Sequence, residues 1–492
     1  MPLIPINLPP GQYRNGTEYQ SQGRWRDANL IRWHEGALRP VGGWRQRGSV
    51  DISGVVRTMV AWEDNTNNRR IAFGTHDKLY AMNSGDVVSD ITPAGFTAGR
   101  VDATAFTGFG GGPYGDDLYG LPRPDTGSVL PATTWSLDNF GEYLLGCTAD
   151  DGKIYQWQLS GGTPAAVLSN APTSCSGMMV TEERFVFAFG AGGDPRKISW
   201  SDREDNNTWT AATTNEAGDI QLQTNGVILK GLRTRGQSLI LTDQDAHAAT
   251  YSGPPYVYGF ERVGTSCGLI AANAAASVDA GVIWMGQRSF FVYSGGAVQE
   301  LPCDVADYVF SDINIDQKSK VHAVVNSRFS EIWWFYPSAS STECDSYVSF
   351  DYAEQIWTTG TIDRTAGVDR GVFRQPFWIA ADGTLYEQEI GFDYGNQTPF
   401  AETGPIAIGV GEQVMSVRGM IPDENTLGDV SATFKTRFYP TDTQRDYGPF
   451  SMANPTSFRF TGRQIRMRIT GDASSDWRVG IMRLDAVAGG RR

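Results

Sequence analysis

The sequence predicts an all-β protein. A β-propeller of six or seven blades spans residues 51–400, an N-terminal arm (1–50) packs on it or on neighbouring subunits, and a C-terminal antiparallel β-sandwich-like domain fills 401–492. Three observations predict this. Helical periodicity, with apolar residues at i, i+3, i+4 and i+7, is almost absent. Short strand-like runs bounded by Gly, Asp, Asn or Pro recur in sets along most of the chain. Gly is abundant at 57 residues while charged residues are only 20%, which suits short strands joined by tight turns.

The sets follow one another in order. The first reads Thr58-Met-Val-Ala-Trp62, Arg70-Ile-Ala-Phe-Gly74, Lys78-Leu-Tyr-Ala-Met82. The second reads Thr134-Trp-Ser136, Glu142-Tyr-Leu-Leu-Gly-Cys147, Lys153-Ile-Tyr-Gln-Trp157. Others start near Cys175, Leu229, Ala274 and Val321, and a partial one holds Phe377-Trp-Ile-Ala-Ala-Asp-Gly-Thr-Leu-Tyr386. The spacing, about 40–55 residues, is that of a four-stranded blade. Asp151-Gly152, Ser294-Gly-Gly296 and Asp382-Gly383 are hairpin signals inside the sets. A series of sandwiches is the competing reading; one closed ring explains similar units in series, because each blade needs neighbours on both faces. Residues 106–129, rich in Gly, Tyr, Asp and Pro, interrupt the series as a long insertion loop, with Phe109, Tyr114 and Tyr119 as candidate gate or tip residues. From about residue 400 alternating strands return, with Arg466 and Arg468 on the polar side against Ile465, Met467 and Ile469.

Charge is unevenly placed. The chain carries −14, yet residues 1–50 carry +4 and 458–492 carry +5, leaving −23 between them. Every cation in those two ends is Arg, the residue of fixed, bidentate contacts. Two readings stay open: ordinary intrachain pairs, or docking on neighbouring subunits. The acidic middle disfavours a nucleic-acid site.

Little points to catalysis. Gly110-Gly-Gly-Pro-Tyr-Gly115 formally matches GxGxxG, but it contains Pro113 and opens no helix to receive a phosphate. Four histidines (His34, His76, His247, His322) are far apart, and the adjacent pairs Glu182-Glu183 and Asp116-Asp117 face opposite ways on a strand. Ser201-Asp-Arg-Glu-Asp-Asn-Asn-Thr-Trp209 is similar to the Asp-box turn of sialidase propellers, a folding element, with Trp209 set to pack between blades. The five cysteines show no CxxC and read as buried free thiols. No cofactor or metal is expected, and the chain reads as a structural protein without enzymatic activity. Its Pro-rich start lacks a signal-peptide pattern and no run reaches a membrane span, so a soluble, cytoplasmically made protein is expected.

The N-terminus carries the most specific signal: Leu8-Pro-Pro-Gly-Gln-Tyr-Arg-Asn-Gly-Thr-Glu-Tyr19, then Gly23-Arg-Trp-Arg-Asp-Ala-Asn-Leu-Ile-Arg-Trp33, then Gly36-Ala-Leu-Arg-Pro-Val-Gly-Gly-Trp44. With Trp135-Ser-Leu-Asp-Asn-Phe-Gly-Glu142, Ile198-Ser-Trp-Ser-Asp202, and the ending Gly462-Arg-Gln-Ile-Arg-Met-Arg-Ile-Thr-Gly471, Gly480-Ile-Met-Arg-Leu-Asp485 and Gly489-Gly-Arg-Arg492, it resembles the tail nozzle and packaged-DNA-stabilisation proteins of short-tailed bacteriophages. The resemblance implies a propeller-based subunit of a homohexameric ring in the virion tail, assembled in the bacterial host cytoplasm. The ring would attach to a tail adaptor, and to a tail fibre or tailspike, and enclose a channel through which genomic DNA passes without sequence-specific binding. On this reading Arg24, Trp25, Arg26, Arg32, Trp33, Arg39, Trp44, Arg466, Arg468, Arg491 and Arg492 are candidate assembly contacts, and the acidic middle faces the lumen, where it repels phosphate. The alternatives are a receptor- or glycan-binding propeller of a phage tail, with the 106–129 loop as its cleft, and a propeller hydrolase.

Overall fold

The computed structural model describes residues 3–49, 52–106, 120, 129–406, 413–439, 441–472 and 474–489. The β-branched and aromatic runs form seven four-stranded antiparallel sheets, six of them built from consecutive hairpins. Their innermost strands are, in order, Thr58–Glu63, Trp135–Phe140, Gly177–Val180, Ile228–Thr234, Ala275–Val278, His322–Asn326 and Ala366–Val368. Each packs on the next and the last packs on the first, so the sheets are blades 1 to 7 of a closed propeller. The turns obey local chemistry: the blade 5 hairpin turns on Gly295 and Gly296, both at positive φ (62° and 87°), a conformation that a Cβ would strain.

Blades are apolar on both faces and the seams between them are filled by apolar side chains, one cluster running through blades 4, 5 and 6. Phe140, Leu145, Ile154, Met178 and Val186 fill the seam between blades 2 and 3. Phe187, Phe189, Trp200, Ile240 and Tyr258 fill the next. Trp209 packs at the edge of the blade 2–3 seam, and its indole N–H donates to the Asn206 carbonyl within the same turn (2.8 Å). All five cysteines are free thiols; four are buried and Cys303 is half-buried.

Blade 7 is completed from the far end of the chain. Its three sequence-local strands, Ala366–Val368, Phe377–Ile379 and Thr384–Gln388, are joined on the outside by Trp44–Ser49, antiparallel, with Trp44 opposite Gln388. This non-local strand closes the ring, and the blade number is seven.

The C-terminal strands form a sandwich, again with help from the N-terminus. One sheet orders Ile4–Ile6, Met482–Ala488, Met415–Ile421 and Thr456–Gly462. The other orders Trp25–Asn29, Phe400–Thr403, Gln464–Gly471, Val430–Arg437 and Arg445–Ser451. Val430–Arg437 alternates buried and half-buried along its length, the period-2 pattern of a half-buried strand. Pro5 lies in a strand at the sheet edge, where a missing N–H breaks no ladder. Phe434, Met467, Ile469, Trp477 and Leu484 form the core together with Trp25, Trp33 and Leu38. Residues 1–50, expected as an arm, are therefore a tie: they supply strands to both sandwich sheets, then a hairpin (Ile31–His34 with Ala37–Pro40), then the closing strand of blade 7. The sandwich sits against blade 6, where the Gln12 N–H donates to the Trp357 carbonyl (3.0 Å) and the Arg14 N–H to the Asp304 carbonyl (2.8 Å).

The insertion leaves blade 1 after Val88–Asp90 and returns before Trp135–Phe140. Its base is a two-stranded ribbon, Thr104–Ala105 with Val129–Leu130. Phe109, Tyr114 and Tyr119 lie outside the described residues.

Candidate functional site: the propeller axis and the arginine-bearing ends

The blade-to-blade connections lie on the upper face of the propeller, and the turns after the first and third strands lie on the lower face. Near the upper face, polar side chains cross the axis. The Asn273 amide N–H of blade 5 donates to Thr58 Oγ1 of blade 1 (2.9 Å), and Lys230 Nζ of blade 4 donates to Asn273 Oδ1 (3.3 Å). Burial lowers the Lys230 ammonium pKa, and the more distant Asp138 offsets it only in part. Lower down, Arg233 of blade 4 reaches Asp138 of blade 2 (2.8 Å), and Asp138 also accepts from the Val180 N–H (2.9 Å). The axis is thus bridged by side chains at two levels and is no conduit for a nucleic-acid duplex, whose major groove alone is about 12 Å wide.

Below the second bridge opens a cleft of about 840 Å³. Glu182, Arg235, Asp279, Tyr293, Tyr352 and Asp369 contribute to its wall. Burial raises the Asp369 carboxyl pKa even though it accepts from the Ser327 N–H (3.2 Å). Tyr293 is buried and its hydroxyl accepts from the Gln237 amide (2.8 Å). Such a wall of mixed charge and hydroxyls suits a polar ligand. No metal-holding cluster of His, Cys, Asp or Glu occurs among the described residues.

The base of the insertion is clamped across the upper face. Lys320 Nζ, at 0% side-chain exposure, pairs with Asp102 (2.5 Å) and Glu343 (3.1 Å). The Gln317 side chain accepts from and donates to the backbone of Ala103 (3.0 Å each). Arg57 joins the same cluster through Glu343 and the Val101 carbonyl. His322 lies alongside, stacked on Phe335, and burial lowers its pKa to about 4.

Six of the candidate arginines, Arg24, Arg26, Arg32, Arg39, Arg466 and Arg468, are engaged inside the chain. Arg32 is bidentate to Glu331 (2.7 Å, 2.7 Å) and also bonds Glu389 (2.6 Å), tying the hairpin to blades 6 and 7. Burial would lower its pKa, but the two carboxylates outweigh it and raise it. Burial pushes the Glu331 carboxyl up; Glu389, equally buried, is held below the ordinary range by Arg32, Asn326 and the Gly42 N–H. Arg24 pairs with Asp304 (2.9 Å) and Arg39 with Asp476 (3.1 Å). Arg466 meets Glu18 and Glu402; Arg468 meets Glu402 (3.4 Å) and lies 3.5 Å over the Phe400 ring. Arg26 donates to the Thr17 carbonyl (3.3 Å). Trp25 and Trp33 are buried in the sandwich core, and Trp44 packs edge-on to Tyr394 (5.5 Å). Of the two open readings, intrachain pairing is the one visible for these arginines, and the residues form no single open patch. Arg491 and Arg492 lie outside the described residues. Sequence reasoning did not find Lys230, Asn273, Asp138 or Arg233: each sits in an ordinary strand pattern, and only ring closure brings them to one axis.

No protein-family model and no curated protein matches the chain. Several solved propellers are similar in structure. Virginiamycin B lyase from Staphylococcus aureus has a TM-score of 0.42 at 8% identity, over 70% of this chain and 98% of that one. The WD40 domain of Neurospora crassa Pan2 has 0.38 at 7%, over 70% and 94%. The N-terminal domain of Nup159 has 0.36 at 9%, over 70% and 95%. Likenesses this distant carry no argument about what the chain binds or does. The expectation of a protein without enzymatic activity is withdrawn: the similar propellers include a lyase, an enzyme.

Proposed function

We propose that the chain is a structural subunit of the nozzle ring at the distal end of a short phage tail, where six copies retain the genome, attach to a tail adaptor and enclose the DNA exit channel. The observation that carries this reading is that the phrases resembling that family, at opposite ends of the sequence, belong to one folded unit. Trp25, Trp33 and Leu38 of the N-terminal phrases share a core with Ile465, Met467, Ile469 and Leu484 of the C-terminal ones. A signature spread over both ends is what a sandwich built from both ends requires. The bridged axis bears on the geometry: any channel runs between copies, not through a propeller. A net charge of −14 disfavours binding of a phosphate backbone by the wall, as a channel through which DNA slides requires. The receptor- or glycan-binding alternative rests on the 106–129 loop, whose Phe109, Tyr114 and Tyr119 lie outside the described residues; the 840 Å³ cleft adds to it only a buried Tyr293 and a half-buried Tyr352.

Negative-stain imaging of the purified protein at high concentration, alone and with the adaptor of the same virion, tests the proposal. Rings with a central hole are expected. A monomer that persists in both conditions contradicts it.

A further inference from the structure

On the lower rim, where blade 7 meets blade 1, a cleft of about 450 Å³ gathers four arginines from three separate stretches of chain. Arg45 and Arg47 lie on the closing strand, Arg69 opens the second strand of blade 1, and Arg374 lies in the first turn of blade 7. Among the described residues, the one carboxylate on the wall is Glu387. Both its oxygens are taken, by Arg45 (3.0 Å) and Arg47 (2.8 Å). Two acids engage the arginines from outside the wall: Asp86 bonds Arg47 (3.0 Å), and Glu63 is 3.8 Å from Arg69. Arg374 is exposed and has no ion pair or hydrogen bond among the described residues. A guanidinium carries five N–H donors, so the cleft holds a large surplus of donors over acceptors and calls for a ligand rich in carboxylate or phosphate.

Two features decide between those ligands. Phe373, Phe377 and Ile390 give the cleft an apolar side. Trp44–Ser49 is also the outermost strand of its sheet, and its outer edge pairs with no further strand among the described residues. An unpaired edge accepts an extended peptide by backbone hydrogen bonds, with alternate side chains entering pockets on one face. We propose that this cleft binds an acidic, extended peptide segment of another protein chain, which adds to Trp44–Ser49 and presents its carboxylates to Arg69 and Arg374. The site does not depend on the tail reading.

The test is fluorescence anisotropy with a labelled peptide of alternating Asp and Val, the same peptide with Asn for Asp, and a duplex oligonucleotide, at low and moderate salt. The acidic peptide binds at least ~10-fold tighter than its Asn counterpart, and added salt weakens it. The exposed double change Arg69→Glu/Arg374→Glu, with an unchanged melting temperature, lowers its affinity by at least ~10-fold, and Arg374→Gln alone lowers it less. Equal binding of the Asp and Asn peptides, or equal binding by wild type and double variant, overturns the proposal. So does absence of binding, or a duplex that binds more tightly than the peptide.

Discussion

The propeller and the sandwich solve the same problem, covering two apolar sheet faces, from opposite kinds of sequence. Six of the seven blades are contiguous hairpins whose partners lie a few residues apart. Both sandwich sheets need strands from each end of the chain: Ile4–Ile6 pairs with Met482–Ala488, and Trp25–Asn29 with Phe400–Thr403. The difference teaches where cooperativity resides. Local blades set the shape of the ring, but residues 4–49 alone close both units, so the N-terminal segment makes them one body.

The sharpest way to break that picture is Arg32→Met. It leaves Glu331 and Glu389 buried without their cation, and breaking a buried pair costs about 3–5 kcal/mol. Because Arg32 lies between the hairpin and blades 6 and 7, the loss is expected in the unfolding of both regions in a urea titration. A loss confined to one region separates them.

The next effect belongs to the propeller alone. His322 titrates near 4 in the fold against 6.5 ordinarily, so between these values the unfolded chain binds the extra proton. Stability is therefore full above about pH 6.5 and is lost as pH falls toward 4, by roughly 3 kcal/mol in total. Urea titrations across that range measure the slope, and His322→Gln is expected to flatten it. A slope unchanged in the variant assigns the acid sensitivity elsewhere.

The smallest effect is at the axis. Lys230 is desolvated against a neutral amide, so Lys230→Met is expected to leave stability unchanged or to raise it by up to ~1 kcal/mol, read as a small rise in melting temperature. A marked loss makes the bridge to Asn273 a structural necessity of ring closure.

These sites also mark what the sequence could show. Blade strands such as Val282 to Met285 and Phe290–Ser294 announce themselves by local pattern and turn residues. The alternation of Ile465, Met467 and Ile469 against Arg466 and Arg468 likewise exposes a sandwich strand. Trp44–Ser49 falls in the stretch expected as an N-terminal arm; its partner Thr384–Gln388 lies more than three hundred residues away, and no periodicity encodes that pairing. For the same reason the arginines of both ends read equally well as free or paired. Their acids, Glu331, Glu389, Glu402 and Asp476, become neighbours only through the tertiary fold. The axial set and the arginine cleft are juxtapositions across blades and were invisible for that reason.

Scanning calorimetry of the intact chain tests most directly the claim that residues 4–49 make the propeller and the sandwich one body. A single transition whose calorimetric and van't Hoff enthalpies agree is predicted. Two resolved transitions, with the sandwich melting while the seven blades stay folded, would contradict it.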